Sequence, residues 1–199
     1  MKRVYLLFLI VSSAAAANAQ VLLGIKGGAN FSTITGKDYG TVKTIAGLNA
    51  GVLASFPLTN RFSLQPEFMY SGEGAQSTED NITGTLHLHY LNIPVLFKYN
   101  NASGVFVETG PQLGLLLKAE FQFANFSEDE KPNFTSSNFS WAFGLGYLFK
   151  GVNLGLDFRY NLGLSNFIED TYTGNARSNV IQAGIFYLFS IKGTTNNHS

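Results

Sequence analysis

The stretch FSWAFGLGYLFKGVNLGLDFRYNLGL (residues 139–164) decides the fold, because its side chains alternate between two kinds. From Phe139 to Phe149 an aromatic residue or leucine occupies every second position, and small residues lie between most of them. After an interruption at 150–151 the alternation resumes, with apolar side chains against glycine, asparagine and charged residues. A period of two indicates β-strands with two different faces. We interpret the two runs, joined by two residues, as a β-hairpin.

The composition limits the class of protein. The chain has 199 residues, no cysteine and a formal net charge of zero, so no basic surface indicates nucleic-acid binding. Charged residues make up 13% of the chain, compared with about 25% in a typical soluble domain. So few charges would not cover the surface of a soluble protein of this size.

The first residues have the three parts of a secretory signal peptide. A basic pair is followed by the apolar run VYLLFLIV (4–11), and Ala17 and Ala19 form an A-x-A cleavage site before Gln20. The apolar run is too short for a spanning helix, which needs about 20 residues. We therefore expect residues 1–19 to be a signal peptide that is removed, so that the mature chain begins at Gln20.

Eight alternating segments follow, at 21–31, 44–56, 62–71, 85–99, 105–123, 139–149, 152–164 and 180–189. Their connections alternate between short and long, and the polar stretch 72–84, which contains Glu73, is interpreted as one of the long loops. An even number of strands with short turns at one end and long loops at the other is typical of outer-membrane barrels. The prediction is an all-β, eight-stranded antiparallel up-and-down transmembrane β-barrel over 20–191, followed by a polar periplasmic tail at 192–199.

The charges indicate which face is enclosed. Within the strands, charged residues share the face opposite to the large apolar side chains: Lys26, Glu67, Lys98, Glu108, Asp157 and Arg159, with Lys118 and Glu120 in an extension of the fifth segment. A charge facing lipid at mid-membrane costs about 2–4 kcal/mol. We therefore expect the first six residues to form a paired polar network in the lumen, with a structural role; a proton or ion path is the alternative.

Two further features bear on the strands. Aromatic residues cluster near both ends of the predicted strands, as expected for two interfacial girdles. Pro66, Pro94 and Pro111 fall inside predicted strands. Because proline donates no ladder hydrogen bond, we predict local bulges at these three positions.

No catalytic or metal-binding constellation is recognisable. His87 and His89 share a strand face, but a metal site needs three or four ligands, and the remaining histidine lies in the C-terminal tail. The Gly-x-Gly pairs follow the strand alternation and are interpreted as packing glycines. We expect no enzyme activity, no cofactor and no metal.

Six stretches carry a resemblance to a known family: GIKGGANFS (24–32), FSLQPEFMYSGEGA (62–75), YLNIPVLFKY (90–99), ETGPQLGLLL (108–117), FGLGYLF (143–149) and LDFRYNLGLSN (156–166). Together they resemble the PorT-type small outer-membrane β-barrels of Bacteroidota. The resemblance implies an eight-stranded barrel in the outer membrane, similar to the OmpX type. The founding member is associated with a protein-secretion and gliding apparatus. Such barrels usually end on an aromatic residue of the last strand, whereas here ten residues follow Phe189.

The expected role follows from a filled lumen. An eight-stranded barrel is just wide enough for side chains to fill its interior, so its external loops are expected to carry the function. We predict a monomeric integral protein of the bacterial outer membrane, in contact with its lipid, with a structural or surface-interaction (adhesion-like) role and no nucleic-acid partner. The alternatives are an accessory component of a protein-secretion apparatus, with a protein partner, and a narrow channel.

Overall fold

The computed structural model describes residues 21–36, 42–79, 82–123, 126–129, 134–166 and 176–190. These residues form nine β-strands, and all their pairings are antiparallel. In chain order the strands are β1 (Leu22–Gly36), β2 (Val42–Pro57), β3 (Phe62–Glu79), β4 (Ile82–Asn100), β5 (Val105–Phe123), β6 (Phe126–Asp129), β7 (Ser137–Phe149), β8 (Leu154–Gly163) and β9 (Ala176–Ser190). Among the described residues, no helix is long and apolar enough to cross a membrane.

Eight of these strands close into a barrel. Neighbours in the chain pair from β1 to β5 and from β7 to β9, while β5 pairs with β7 and β9 returns to β1. The short strand β6 pairs with β5 at Glu120–Phe123, beyond the rows in which β5 meets β7. The prediction of an all-β, eight-stranded antiparallel up-and-down barrel is therefore confirmed.

One end of the barrel carries the short connections. The turns β2–β3, β4–β5 and β7–β8 lie at this end, where Leu22 also pairs with Ser190. The turn between β7 and β8 spans 150–153, so the two-residue connection predicted there was wrong. Asn153 ends this turn with φ 56°, a left-handed conformation that asparagine tolerates better than most residues. By the rule for this class of barrel, the short-turn end faces the periplasm.

The strands extend further at the opposite, outer end. β3, β4 and β5 contain 18, 19 and 19 residues, whereas a tilted spanning strand needs about 9–11. Residues 72–79 and 82–84, predicted as part of a polar loop at 72–84, instead form the outer parts of β3 and β4, which pair from Gly72–His89 to Glu79–Ile82. That prediction was wrong because cross-strand pairing in a sheet overrides local composition.

The three prolines inside strands cause no bulge. The register is the same on both sides of Pro66, Pro94 and Pro111, so the predicted bulges were wrong. Pro66, Pro94 and Pro111 each lack a pairing on one side, and the same register resumes beyond the gap, so the missing proline donor does not require an extra residue. The register shifts occur elsewhere, one between β2 and β3 and one between β4 and β5.

The shift between β4 and β5 changes which residues of β5 face inward. His89 pairs with Lys118, whereas the next residue of β4 pairs with Leu116, so Leu117 is the extra residue of a β-bulge. Beyond the bulge Ala119 is fully buried, and the Lys118 side chain is 57% exposed. Regular alternation put Lys118 on the same strand face as the lumen charges, and the bulge instead turns its side chain outward.

The outer wall of the barrel is apolar. Leu145, Phe143 and Phe158 each expose half or more of their surface, which in water would be unfavourable but suits hydrocarbon. Exposed aromatic residues lie near both ends of this wall: Phe62, Tyr99, Tyr147, Phe149, Tyr187 and Phe189 at the short-turn end, and Phe31, Tyr70, Phe139 and Trp141 at the outer end.

Candidate functional site

Arg159 lies at the centre of a charged layer that crosses the lumen. Its Nη1 and Nη2 atoms donate to the two carboxylate oxygens of Glu67, each at 3.0 Å. Its Nε and Nη2 atoms donate to Glu108 Oε1 at 2.9 and 2.7 Å. Such charge-assisted bonds are among the stronger ones in proteins. Arg159 on β8 therefore links β3 and β5 through the middle of the barrel.

Two lysines complete the charged layer. Lys98 Nζ lies 3.2 Å from Glu108 Oε2, donates to Gln65 Oε1 at 3.1 Å and lies 3.6 Å from the centre of the Phe106 ring. Lys26 forms an ion pair with Asp157. The structure thus places all six residues of the predicted lumen network inside the barrel, where each of the three cations contacts at least one of the three carboxylates.

Glycines facing the lumen make room for these long side chains. A Cβ atom on Gly144 would lie 2.9 Å from Glu108 Oε1, and one on Gly184 would lie 2.7 Å from Asp157 Oδ1. A Cβ atom on Gly155 would collide with the Phe186 ring. The small residues of the alternating pattern therefore leave the volume that the lumen side chains fill.

An amide layer lies on the outer side of the charged layer. Asn30 accepts hydrogen bonds from Asn49 at 2.6 Å and from Gln182 at 3.0 Å, and its own amide donates to Ser71 at 2.8 Å. Glu73, which the sequence analysis assigned to a loop, is buried in the same region with an exposed fraction of 4%. It belongs to the inward face of β3, so its assignment to a loop was wrong.

Two apolar clusters close the lumen at its ends. The inner apolar plug lies towards the short turns and consists of Leu53, Phe106, Phe186 and Leu188. The outer apolar plug consists of Ile34, Ala75, Leu88, Tyr90, Leu116 and Ala119. Sequence reasoning missed both plugs, although the large apolar residues that break the small-and-polar face could have indicated them.

A polar patch lies on the outward face of the sheet above the apolar wall. The Tyr70 hydroxyl is 2.6 Å from His89 Nδ1, and His89 Nε2 is 3.7 Å from Glu120. Lys118 lies 2.7 Å from Glu120, and this hydrogen bond, outside the spanning segments, holds the pKa of Glu120 below its usual value. Glu120 therefore faces outward with Lys118, although regular alternation put both on the same strand face as the lumen charges. The described residues include no group of three or more His, Cys, Asp or Glu side chains placed to hold a metal.

This arrangement defines a class of protein. Its apolar wall faces outward, its ionised groups are enclosed, and two apolar plugs and a charged layer fill the interior. These are the properties of a small integral membrane β-barrel with a side-chain-filled lumen.

The particular family follows from the sequence. The chain belongs to the outer membrane protein β-barrel domain family, whose model matches residues 14–169. The protein is therefore located in the bacterial outer membrane, within its lipid bilayer. No curated protein matches the sequence significantly.

Solved structures share the fold at low sequence identity. Neisserial surface protein A is 15% identical with a TM-score of 0.59, over 84% of this chain and 97% of that chain. Ail, the attachment invasion locus protein of Yersinia pestis, in complex with the heparin analogue sucrose octasulfate, is 20% identical with a TM-score of 0.51, over 85% and 99%. Ail in a phospholipid bilayer nanodisc is 18% identical with a TM-score of 0.50, over 84% and 99%.

Several predicted positions lie outside the described residues. They are the signal cleavage residues Ala17, Ala19 and Gln20 and the tail at 192–199. The signal peptide and the tail stay predictions.

Proposed function

We propose that the protein acts at the cell surface, binding a partner protein through the sheet that rises from the barrel. This protruding sheet consists of residues 72–79, 82–89 and 116–123 together with β6. The role is structural or adhesive, and the barrel serves as its membrane anchor. Ail, which has the same fold, is named for attachment and invasion; the proposal assigns a role of this kind to the present chain.

The length of three strands is the observation that carries the proposal. β3, β4 and β5 each exceed by about eight residues the length needed to cross the membrane. A pore or a simple anchor has no need of this extension. An ordered sheet with an exposed polar patch offers a rigid binding surface, and short strands at its margin can pair with a foreign strand.

Photocrosslinking in intact cells tests the proposal. A photoreactive amino acid replaces Lys118, whose side chain projects from the polar patch. We expect illumination to yield a discrete protein adduct, identified by mass spectrometry. The matched control places the same group at Phe158, on the apolar wall of β8, where only lipid adducts are expected. The proposal is wrong if neither Lys118 nor His87, on the same sheet, yields a protein adduct.

A second candidate is an accessory role in protein secretion, and it rests on the PorT-type sequence resemblance. Stretches such as GIKGGANFS (24–32) and LDFRYNLGLSN (156–166) carry that resemblance. Deletion of the gene would then change the set of proteins released into the medium. An unchanged set, together with a surface adduct from Lys118, favours the adhesive role.

We further infer that residues 1–19 direct export and are removed during it. The basic pair, the short apolar run and the A-x-A site support this inference. The intact mass of the protein extracted from outer membranes should correspond to a chain beginning at Gln20. A mass that includes Met1 would contradict it.

A further inference from the structure

Glu73 differs from the other carboxylates of the lumen. Glu67, Glu108 and Asp157 each contact an arginine or a lysine. Glu73 accepts hydrogen bonds from Ser71 at 2.9 Å, Asn92 at 3.0 Å and Ser178 at 3.1 Å, and no ion pair to it is found among the described residues. A buried carboxylate is costly unless a positive charge or a proton compensates it.

Two amide oxygens without a partner lie beside this carboxylate. Asn92 is 2% exposed, and its Nδ2 atom donates to Glu73 at 3.0 Å, so the Oδ1 atom of the same amide lies close to the carboxylate. Neither Asn92 Oδ1 nor Asn138 Oδ1 has a hydrogen-bond partner. Both oxygens converge over Gly114, where a Cβ atom would lie 2.8 Å from Asn92 Oδ1 and would also collide with Asn138 Oδ1.

A third oxygen completes the cluster. The Tyr90 side chain is fully buried in the outer apolar plug, and its hydroxyl lies against the Asn138 side chain, within electrostatic reach of Glu73. A carboxylate, two amide carbonyls and a hydroxyl thus form a chain of neighbours in the outer lumen. Buried polar atoms are normally satisfied, so this concentration of unsatisfied oxygens calls for a ligand.

We propose that this region binds one hard metal cation of the calcium type, held by Glu73, Asn92 and Asn138 with the Tyr90 hydroxyl beside them. Carboxylate and amide oxygens are the ligands that Ca²⁺ prefers, and water molecules complete its coordination. A cation satisfies acceptor oxygens and neutralises Glu73 at the same time. A single water molecule has only two hydrogens and leaves the charge uncompensated.

The position of the site determines from which side the ion enters, and the charge of its ligands determines the affinity. Asn138 is partly exposed at the outer end of β7, so the ion enters from the external medium. One carboxylate supplies little charge. We therefore expect a dissociation constant of about 10⁻⁴ to 10⁻³ M, as in extracellular calcium modules.

Terbium luminescence tests the site directly. The folded barrel in detergent is freed of metal with a chelator and titrated with Tb³⁺, whose emission Tyr90 would sensitise. We expect Ca²⁺ to displace this emission with a midpoint of about 10⁻⁴ to 10⁻³ M, and NaCl at equal ionic strength to leave it unchanged. The substitution Glu73→Gln should weaken Ca²⁺ binding at least about tenfold. The control Glu120→Gln removes an outward acid and should bind as the wild type does.

Two outcomes would overturn the proposal. In the first, the wild type binds no Ca²⁺ up to about ten times the expected dissociation constant, which means that a proton, a water molecule or a turned amide satisfies the cluster. In the second, Glu73→Gln binds Ca²⁺ as well as the wild type. If Glu73→Gln does not fold, Asn138→Ala carries the test, because that side chain lies at the outer end and is partly exposed. Unchanged binding in Asn138→Ala likewise overturns the proposal.

Discussion

At the scale of single residues, Arg159 is the side chain on which the charged layer depends. Arg159→Met would keep most of the volume but leave Glu67 and Glu108 without their guanidinium partner. Removing one partner of a buried ion pair costs about 3–5 kcal/mol. We therefore expect a lower urea midpoint for unfolding in detergent and a lower temperature for the mobility shift on gels.

Lys150 provides the matched control for that substitution. Its ammonium lies in the exposed turn between β7 and β8 and donates to Ala102 O. Lys150→Met also deletes one positive charge, but this charge is in contact with water, so the urea midpoint should be unchanged. A stability of Arg159→Met equal to that of the wild type would mean that the charged layer contributes nothing to the fold.

Gly155 allows a second prediction at this scale. Its inward face touches the Phe186 ring, so Gly155→Ala inserts a methyl group into the inner apolar plug. Overpacking of this kind costs about 1–3 kcal/mol. The control is Gly151→Ala, where a Cβ atom would meet nothing within 4 Å. Urea unfolding should separate the two variants; equal midpoints would show that the Phe186 ring moves aside freely.

The sequence predicts some lumen residues and misses others for a physical reason. The six charged residues of the charged layer share one strand face, and alternation alone places them inside a narrow barrel. Glu73 has the same parity on β3, but the glycines at 72 and 74 and the serine, threonine and acids that follow are typical of a loop. Only the pairing of β3 with β4, which a single sequence does not display, assigns Glu73 to a strand.

At the scale of elements, the bulge at Leu117 decides how β5 meets the outside. The chain has no cysteine, so single cysteines can be labelled without background. Lys118→Cys should react quickly with a membrane-impermeant maleimide on intact cells, because position 118 faces outward. Ala119→Cys should react only after unfolding, because Ala119 is fully buried. The opposite order of reactivity would mean that β5 alternates regularly, without a bulge.

Alternation also explains which strands can be predicted from the sequence and which cannot. Within the membrane, lipid on one side and a narrow lumen on the other require a period of two, so the eight spanning segments are recognisable from Val21 to Phe189. Above the membrane, water contacts one or both faces, and that requirement disappears. The sequence therefore indicates neither the outer half of the β3–β4 hairpin nor β6, although cross-strand hydrogen bonds order both.

At the scale of the whole molecule, the lumen is built in layers that serve different purposes. The inner and outer apolar plugs exclude water from the ends, and the charged and amide layers between them link strands on opposite sides of the barrel. Water exclusion strengthens the ion pairs, and the ion pairs in turn hold the wall closed. A barrel filled in this way is suited to anchoring the protruding sheet.

The layered lumen leads to a prediction that separates an anchor from a narrow channel. In planar bilayers the folded protein should give no discrete conductance steps, because an ion would have to pass both plugs and Arg159. Replacing one side chain in each plug and one in the charged layer, as in Leu88→Ala/Phe106→Ala/Arg159→Ala, removes a large part of these three barriers. If this variant still shows the gel shift of a folded barrel, small steps should appear. Uniform steps from the wild type, lost on heat denaturation, would establish the channel alternative and contradict the filled lumen.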